Sequence, residues 1–271
     1  MKIKIGIMQG RLVNREIKNR LQSFPWKNWK REIKLANKHN IKYIEWTLDY
    51  KKFNLNPLIR NTDKVSKILK KNKIKVKTLT ADFFMQQPPF YKKNQTTLFL
   101  KKLIKVANFI GIKYIVIPLV DNSSIKNKLD EKKILDYFNF LKQNTNFRKV
   151  KILFEFDLPP NKLLSFISKL DNSFGINYDV GNSAYYGHKF NNEKKYFSRV
   201  HNIHIKDRIK NGRSVPLGTG LVDFKIFFYF LKKIRYSNLM ILQTFIPRKK
   251  NVLKNTIKNY MYVKKFYEKK N

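Results

Sequence analysis

The 271-residue chain contains no cysteine, which excludes disulfides, iron–sulfur clusters, thiolate zinc sites and cysteine nucleophiles. Any metal must then be held by His, carboxylate, amide or water. Histidine is scarce at four residues, and Asp and Glu number 18 against 59 Lys and Arg. Long apolar runs are missing as well: the stretch at 114–120 falls far short of the ~20 residues that a spanning helix needs. At the N-terminus, Gln9 and Arg11 interrupt the first apolar run too early for a signal-peptide core. A soluble cytoplasmic protein without membrane association is expected. Nine Gly and nine Pro, with no Gly-Ser linker or low-complexity segment, give no sign of a domain boundary. The expectation is one domain spanning 1–271.

The formal charge of +41 raises nucleic acid or an anionic membrane as partners. However, 48 of the 59 basic residues are lysines spread along the whole chain, whereas phosphate and base recognition favours clustered Arg with stacking aromatics. Lys64, Lys67, Lys70 and Lys71 fall on one outer helical face. A solvated surface accounts for such a pattern, and a polyanion-facing field is the alternative.

Short β-branched and aromatic runs alternate with longer amphipathic stretches from end to end. Strands are predicted at 3–8, 43–46, 75–80, 114–117, 151–156, 175–179, 202–206 and 239–244. Helices are predicted at 26–39, 62–71, 96–110, 131–143, 160–170, 192–198, 224–234 and 252–264. Phe99, Leu103, Val106 and Ile110 have the three- and four-residue spacing of a buried helical stripe. Eight alternations with buried-looking strands predict an α/β fold, a parallel sheet closed into a (β/α)8 barrel. An open doubly wound sheet is the alternative topology.

Barrels of this kind deliver functional side chains from the C-terminal ends of their strands. Here those ends carry Gln9 and Arg11, Glu45, Asp82, Asp121, Glu155 and Asp157, Asp179 and Asn182, His204 with Lys206 and Asp207, and Gln243. Glu155 interrupts a strand that otherwise reads as core, and a lone buried carboxylate costs several kcal/mol unless paired or bound to a cation. Asp179 and His204 interrupt their runs in the same way. Pairing with lysine, or a hydrogen-bonded core histidine, would explain each residue singly. Together they supply two carboxylates and an imidazole from three consecutive strands, a set suited to Mn2+, Mg2+, Co2+ or Zn2+.

Gly6-Ile-Met-Gln-Gly-Arg-Leu12, Tyr43-Ile-Glu-Trp46, Phe154-Glu-Phe-Asp157, Tyr178-Asp-Val-Gly-Asn182 and His201-Asn-Ile-His-Ile-Lys-Asp207, followed by Val215-Pro-Leu-Gly-Thr-Gly220, resemble the xylose-isomerase-like sugar phosphate isomerase/epimerase family. The resemblance implies a TIM barrel holding one divalent metal through Glu, Asp, His and Glu of strands five to eight. Carried over, three ligands fall on Glu155, Asp179 and His204, and the fourth position holds Gln243. Asn182 stands where many members have His.

A Gln carbonyl still ligates a divalent ion, but two carboxylates rather than three weaken the site. Epimerisation also needs two acid/base groups, and Gln243 cannot replace the second Glu. The expected chemistry is metal-assisted proton abstraction next to a carbonyl of a sugar or sugar phosphate, with Glu155 as base. Asp207 is preferred as the second group over Lys206, Glu45 and Asp82. Glu45, Trp46, Gln9, Arg11, Asp82, Asn182, Lys206 and Arg213 are expected to bind substrate. Arg208, Arg213, the Gly218–Gly220 turn and Arg248 with Lys249 offer phosphate donors. Competing readings are a dehydratase or lyase, a sugar-binding barrel without catalysis, and an apurinic-endonuclease-like nuclease. The last needs several zincs and many His ligands, against four histidines here. Self-association as a homo-oligomer is left open.

Overall fold

The computed structural model describes residues 4–16, 22–247 and 251–268. Eight parallel strands close into a barrel: β1 Lys4–Met8, β2 Tyr43–Thr47, β3 Lys75–Thr80, β4 Tyr114–Leu119, β5 Lys151–Phe156, β6 Phe174–Asp179, β7 Val200–Ile205 and β8 Leu239–Leu242. Each strand pairs with its sequence neighbours, and β8 closes the ring onto β1. The open-sheet alternative is thereby excluded. The outer ring comprises α1 Trp29–Lys38, α2 Thr62–Lys71, α3 Lys93–Ile110, α4 Lys128–Gln143, α5 Pro160–Ser168, α6 Val180–Tyr185, α7 Phe224–Lys233 and α8 Val252–Glu268. No helix among the described residues is long and apolar enough to cross a membrane.

The main core lies between strands and helices, where outward-facing residues meet the apolar helix faces. Phe154 of β5 packs against Phe138 of α4 and Phe166 of α5. Lys64, Lys67, Lys70 and Lys71 are exposed on α2, while Val65 and Leu69 are buried, so these lysines form a solvated face as their spacing predicts.

The sixth crossover differs from expectation. In place of a helix at 192–198 there is α6, starting directly at the end of β6, then a helical turn at Phe190–Glu193 and a 3-10 segment at Lys194–Arg199. The Asp179 side chain accepts from the Asn182 N–H at 2.8 Å, which caps the helix without an intervening loop. After β7 the chain forms a small antiparallel hairpin pairing Asp207–Arg208 with Ser214–Val215.

Two register shifts shape the barrel interior. Between β2 and β3 the pairing skips Lys77, setting Glu45 opposite Thr78. Between β6 and β7 it skips His201, setting Asn177 opposite Asn202. An extra residue on one strand re-aims its side chains. Both shifts place polar residues side by side on the inner face.

At the start of α1, Glu32 is fully buried and accepts from the N–H groups of Gly10 and Leu12, each at 3.0 Å. Burial pushes its carboxyl up to about 7 against the opposing pull of those N–H groups. Between the unfolded value near 4.5 and 7, the folded chain holds a proton that the unfolded chain has released. Stability therefore falls as pH rises through that window, by about 3 kcal/mol for this group alone. Glu32→Gln should remove this component. Urea unfolding at both ends of the window should show the variant gaining about 3 kcal/mol relative to the parent as pH rises, and a constant difference would refute the assignment.

Candidate active site

The inner faces of β2, β3, β5, β6 and β7 carry a buried polar layer. His204 of β7 is fully buried, and its Nε2 lies 2.7 Å from Glu45 Oε1 of β2, across the barrel axis. Glu45 also accepts from Thr78 Oγ1 at 2.9 Å, Thr80 Oγ1 at 2.6 Å and Asn202 Nδ2 at 3.0 Å. Four donors thus converge on one carboxylate. The other ring nitrogen, Nδ1, is 3.1 Å from Glu155 Oε2 and 4.0 Å from Asp179 Oδ2.

Electrostatics follow from this geometry. Burial pushes the His204 imidazole down, but Glu45 and Glu155 overcome that and raise it to about 10. Burial likewise opposes ionisation of Glu45 and Glu155, yet contact with His204 brings both below the usual carboxylate range. Asp179 is raised by burial, with the Lys206 ammonium pulling the other way. Asp82 is held well above its ordinary value by burial, partly offset by the Gln22 hydrogen bond.

Glu155, Asp179 and His204 each offer a ligand atom, all within 4.8 Å of one another. Two carboxylate oxygens and one imidazole nitrogen, all buried, fit a divalent cation. Glu45 completes the fit, because a carboxylate on the far ring nitrogen orients a ligating histidine. The other histidines lie elsewhere: His201 stacks on Tyr114, His188 is 3.8 Å from Glu193, and His39 caps the end of α1.

The matching family model, described as xylose isomerase-like TIM barrel, covers residues 33–264. The chain belongs to this family. Among solved structures, the IolI protein with a bound zinc atom is 19% identical, with a TM-score of 0.78 over 98% of this chain and 100% of that one. D-allulose 3-epimerase from Methylomonas sp., in complex with D-allulose, is 16% identical, with a TM-score of 0.73 over 98% and 97%. The probable 3-DHS dehydratase AsbF of Bacillus anthracis is 11% identical, with a TM-score of 0.72 over 97% and 99%. At such identities the likeness concerns the fold. No curated protein matches the chain.

In this xylose isomerase-like barrel the remaining expected site residues separate into groups. Asn182 donates from Nδ2 to Glu155 Oε1 at 3.0 Å and accepts at Oδ1 from Arg208 Nη1 at 2.6 Å. Lys206 Nζ is 2.7 Å from Asp179 Oδ2 and donates to Gln243 Oε1 at 3.2 Å. Gln243 in turn donates to Gln22, and Gln22 donates to Asp82 at 2.6 Å. The Gln243 carbonyl is therefore engaged by an ammonium.

Several expectations change. Trp46 is fully buried on the outward face of β2, donates to Asn56 Oδ1 and packs against Phe24 and Trp29. Strand alternation sends Trp46 into the core because Glu45 points inward. The Asp207 carboxylate accepts from the N–H groups of Gly218, Gly220 and Val222, so it braces the loop after the hairpin. That bond set also occupies two N–H groups of the turn expected to take phosphate. Arg208 is held by Asn182, by Gly212 O and over the Tyr185 ring. Arg213 is exposed in the hairpin turn, and Arg248 and Lys249 lie outside the described residues.

Asn177, Asn202 and Gln22 were not anticipated. Asn177 donates to Glu155 Oε2 at 2.9 Å and accepts from Asn202 Nδ2 at 2.7 Å. Both asparagines precede an expected ligand by two residues, so period-two alternation places them on the same inner face. Gln22 sits in the loop before α1, where no periodicity signals a role.

Proposed function

We propose that this protein is a divalent-metal-dependent isomerase or epimerase of a sugar or sugar phosphate, working by proton abstraction next to a carbonyl. The observation that carries this reading is the convergence of Glu155, Asp179 and His204 within 4.8 Å at the C-terminal ends of consecutive strands. Those three residues would hold the ion, which when bound supplies positive charge that polarises a carbonyl and acidifies the adjacent C–H.

Glu155 takes the proton at Oε1, the oxygen turned to Asn182. Asn177 donates to Oε2 and fixes the plane of the carboxylate. Lys206 is assigned the second proton-handling position, since its Nζ is kept in place by Asp179 and Gln243. Gln243, which the resemblance offers as a fourth ligand, is assigned to tethering Lys206. Asp207 is assigned to positioning the loop rather than to proton transfer.

Metal content of the purified protein, measured by mass spectrometry beside Glu155→Ala and His204→Ala, tests the centre. Near-stoichiometric Mn, Co, Zn or Mg lost in both variants supports it. Failure to take up metal, even in excess Mn2+, overturns it.

Gly181 gives a separate check on Lys206. A Cβ there would lie 2.5 Å from Lys206 Cγ and 3.0 Å from Lys206 O. Gly181→Ala should displace the lysine and slow solvent-deuterium exchange by about 10²-fold, with metal content retained. Unchanged exchange would remove Lys206 from the reaction.

A further inference from the structure

The residues assigned above lie mainly on β5 to β7, and another buried polar set on the opposite arc of the barrel is left without a task. Gln9 is fully buried and Arg11 is 4% exposed, both just beyond the end of β1. Gln9 Oε1 accepts from the Thr47 N–H at 2.9 Å, and Arg11 Nε donates to Thr244 O at 3.1 Å. Among the described residues, Gln9 Nε2, Arg11 Nη1, Thr47 Oγ1 and Thr244 Oγ1 have no hydrogen-bond partner. Because β1 lies between β8 and β2, these four residues form one continuous arc at or just beyond the C-terminal ends of three adjacent strands.

Buried polar groups are hydrogen-bonded in nearly all native structures, so four unmet atoms in one arc call for a missing partner. The heads of Gln9 and Arg11 there are pure donors, and the hydroxyls donate as readily as they accept. Such a set is matched by a group with several acceptor oxygens and negative charge. A guanidinium meets carboxylate and phosphoryl oxygens with the strongest of these bonds. Glu32 is the strongest charged neighbour of Arg11, with Arg15 opposing it, and Asp82 and Glu45 of the candidate site add weaker attraction.

We propose that Arg11 and Gln9 bind a negatively charged group of the substrate, a carboxylate or a phosphoryl, at the end of the sugar remote from the carbon deprotonated by Glu155. This inference rests on the isomerase reading and narrows its substrate to a sugar acid or sugar phosphate. Thr47 and Thr244 add hydroxyls on either side of the anion.

Titration calorimetry with D-fructose, D-fructose 6-phosphate and D-fructuronate tests it, in about 0.3 M NaCl, where the screening length falls below about 8 Å. The salt suppresses attraction by the general surface charge. The phosphate or the carboxylate probe should bind at least about tenfold more tightly than D-fructose, and the probe that does so identifies the anion. Arg11→Met should abolish that margin while leaving D-fructose affinity within about twofold. Gln9→Met, which keeps the guanidinium, should shrink the margin severalfold and carries the test if Arg11→Met does not fold. Equal binding of all three probes, or a margin that survives in the variants, overturns the proposal. Deuterium exchange into the same probes with Mn2+ is read in parallel. Its absence from all three sinks the isomerase reading alone, since the binding margin is decided without turnover.

Discussion

Glu155→Gln is expected to slow solvent-deuterium exchange by about 10²–10⁴-fold, the range for removing a positioned general base. The amide keeps the shape of the side chain and an oxygen able to ligate, so metal content should survive. It cannot satisfy its surroundings fully, because Asn182 Nδ2 donates to one carboxylate oxygen and Asn177 Nδ2 to the other. Whichever way the amide turns, its NH2 meets a donor, at a cost of about 1–3 kcal/mol. Single-turnover exchange combined with urea unfolding separates the two effects. Exchange at the parental rate in a folded, metal-loaded variant would remove Glu155 as the base.

The second large effect is expected at Glu45. Its carboxylate accepts from Thr78, Thr80 and Asn202 and faces the His204 ring. Glu45→Gln leaves one acceptor oxygen for these groups and, in the metal-free protein, takes the charge partner from a buried imidazolium. Breaking a buried pair from one side costs about 3–5 kcal/mol. Loss of the group that orients His204 should also weaken metal affinity about 10–100-fold. Urea unfolding reads the first quantity and competition with a chelator reads the second. A variant that loses stability but binds metal as the parent does would mean that Glu45 supports the barrel without orienting the ligand.

Both predictions rest on residues that were unequally visible in the sequence. Glu155, Asp179 and His204 could be picked out because each places a charge or an imidazole in a run that is otherwise apolar. Their strands could be read for the same reason, and α2 matches its predicted span of 62–71. The role of Glu45 could not be read, since its partner lies 159 residues away on a strand across the axis. Its neighbour Trp46 was legible in principle, because an inward Glu45 forces an outward Trp46. The helix α6 was missed because it is six residues long and contains Gly and Asn, which lower helix propensity. The hairpin after β7 has strands of two residues each, too short for any period to appear. The backbone partners of Asp207 could not be read either, because a carboxylate at a strand end looks the same whether it meets substrate or backbone N–H groups.

The bond from Glu45 to His204 also changes how this barrel unfolds. Strands 2 and 7 belong to different halves of the chain and are not neighbours in the sheet, yet they are tied through the middle by hydrogen bonds to His204 and Asn202. Opening either half strands buried polar groups in the other, so neither half gains by separating first. The N- and C-terminal halves are thereby bound into one cooperative unit, whose slowest-exchanging amides should include those of both strands and share a single opening event.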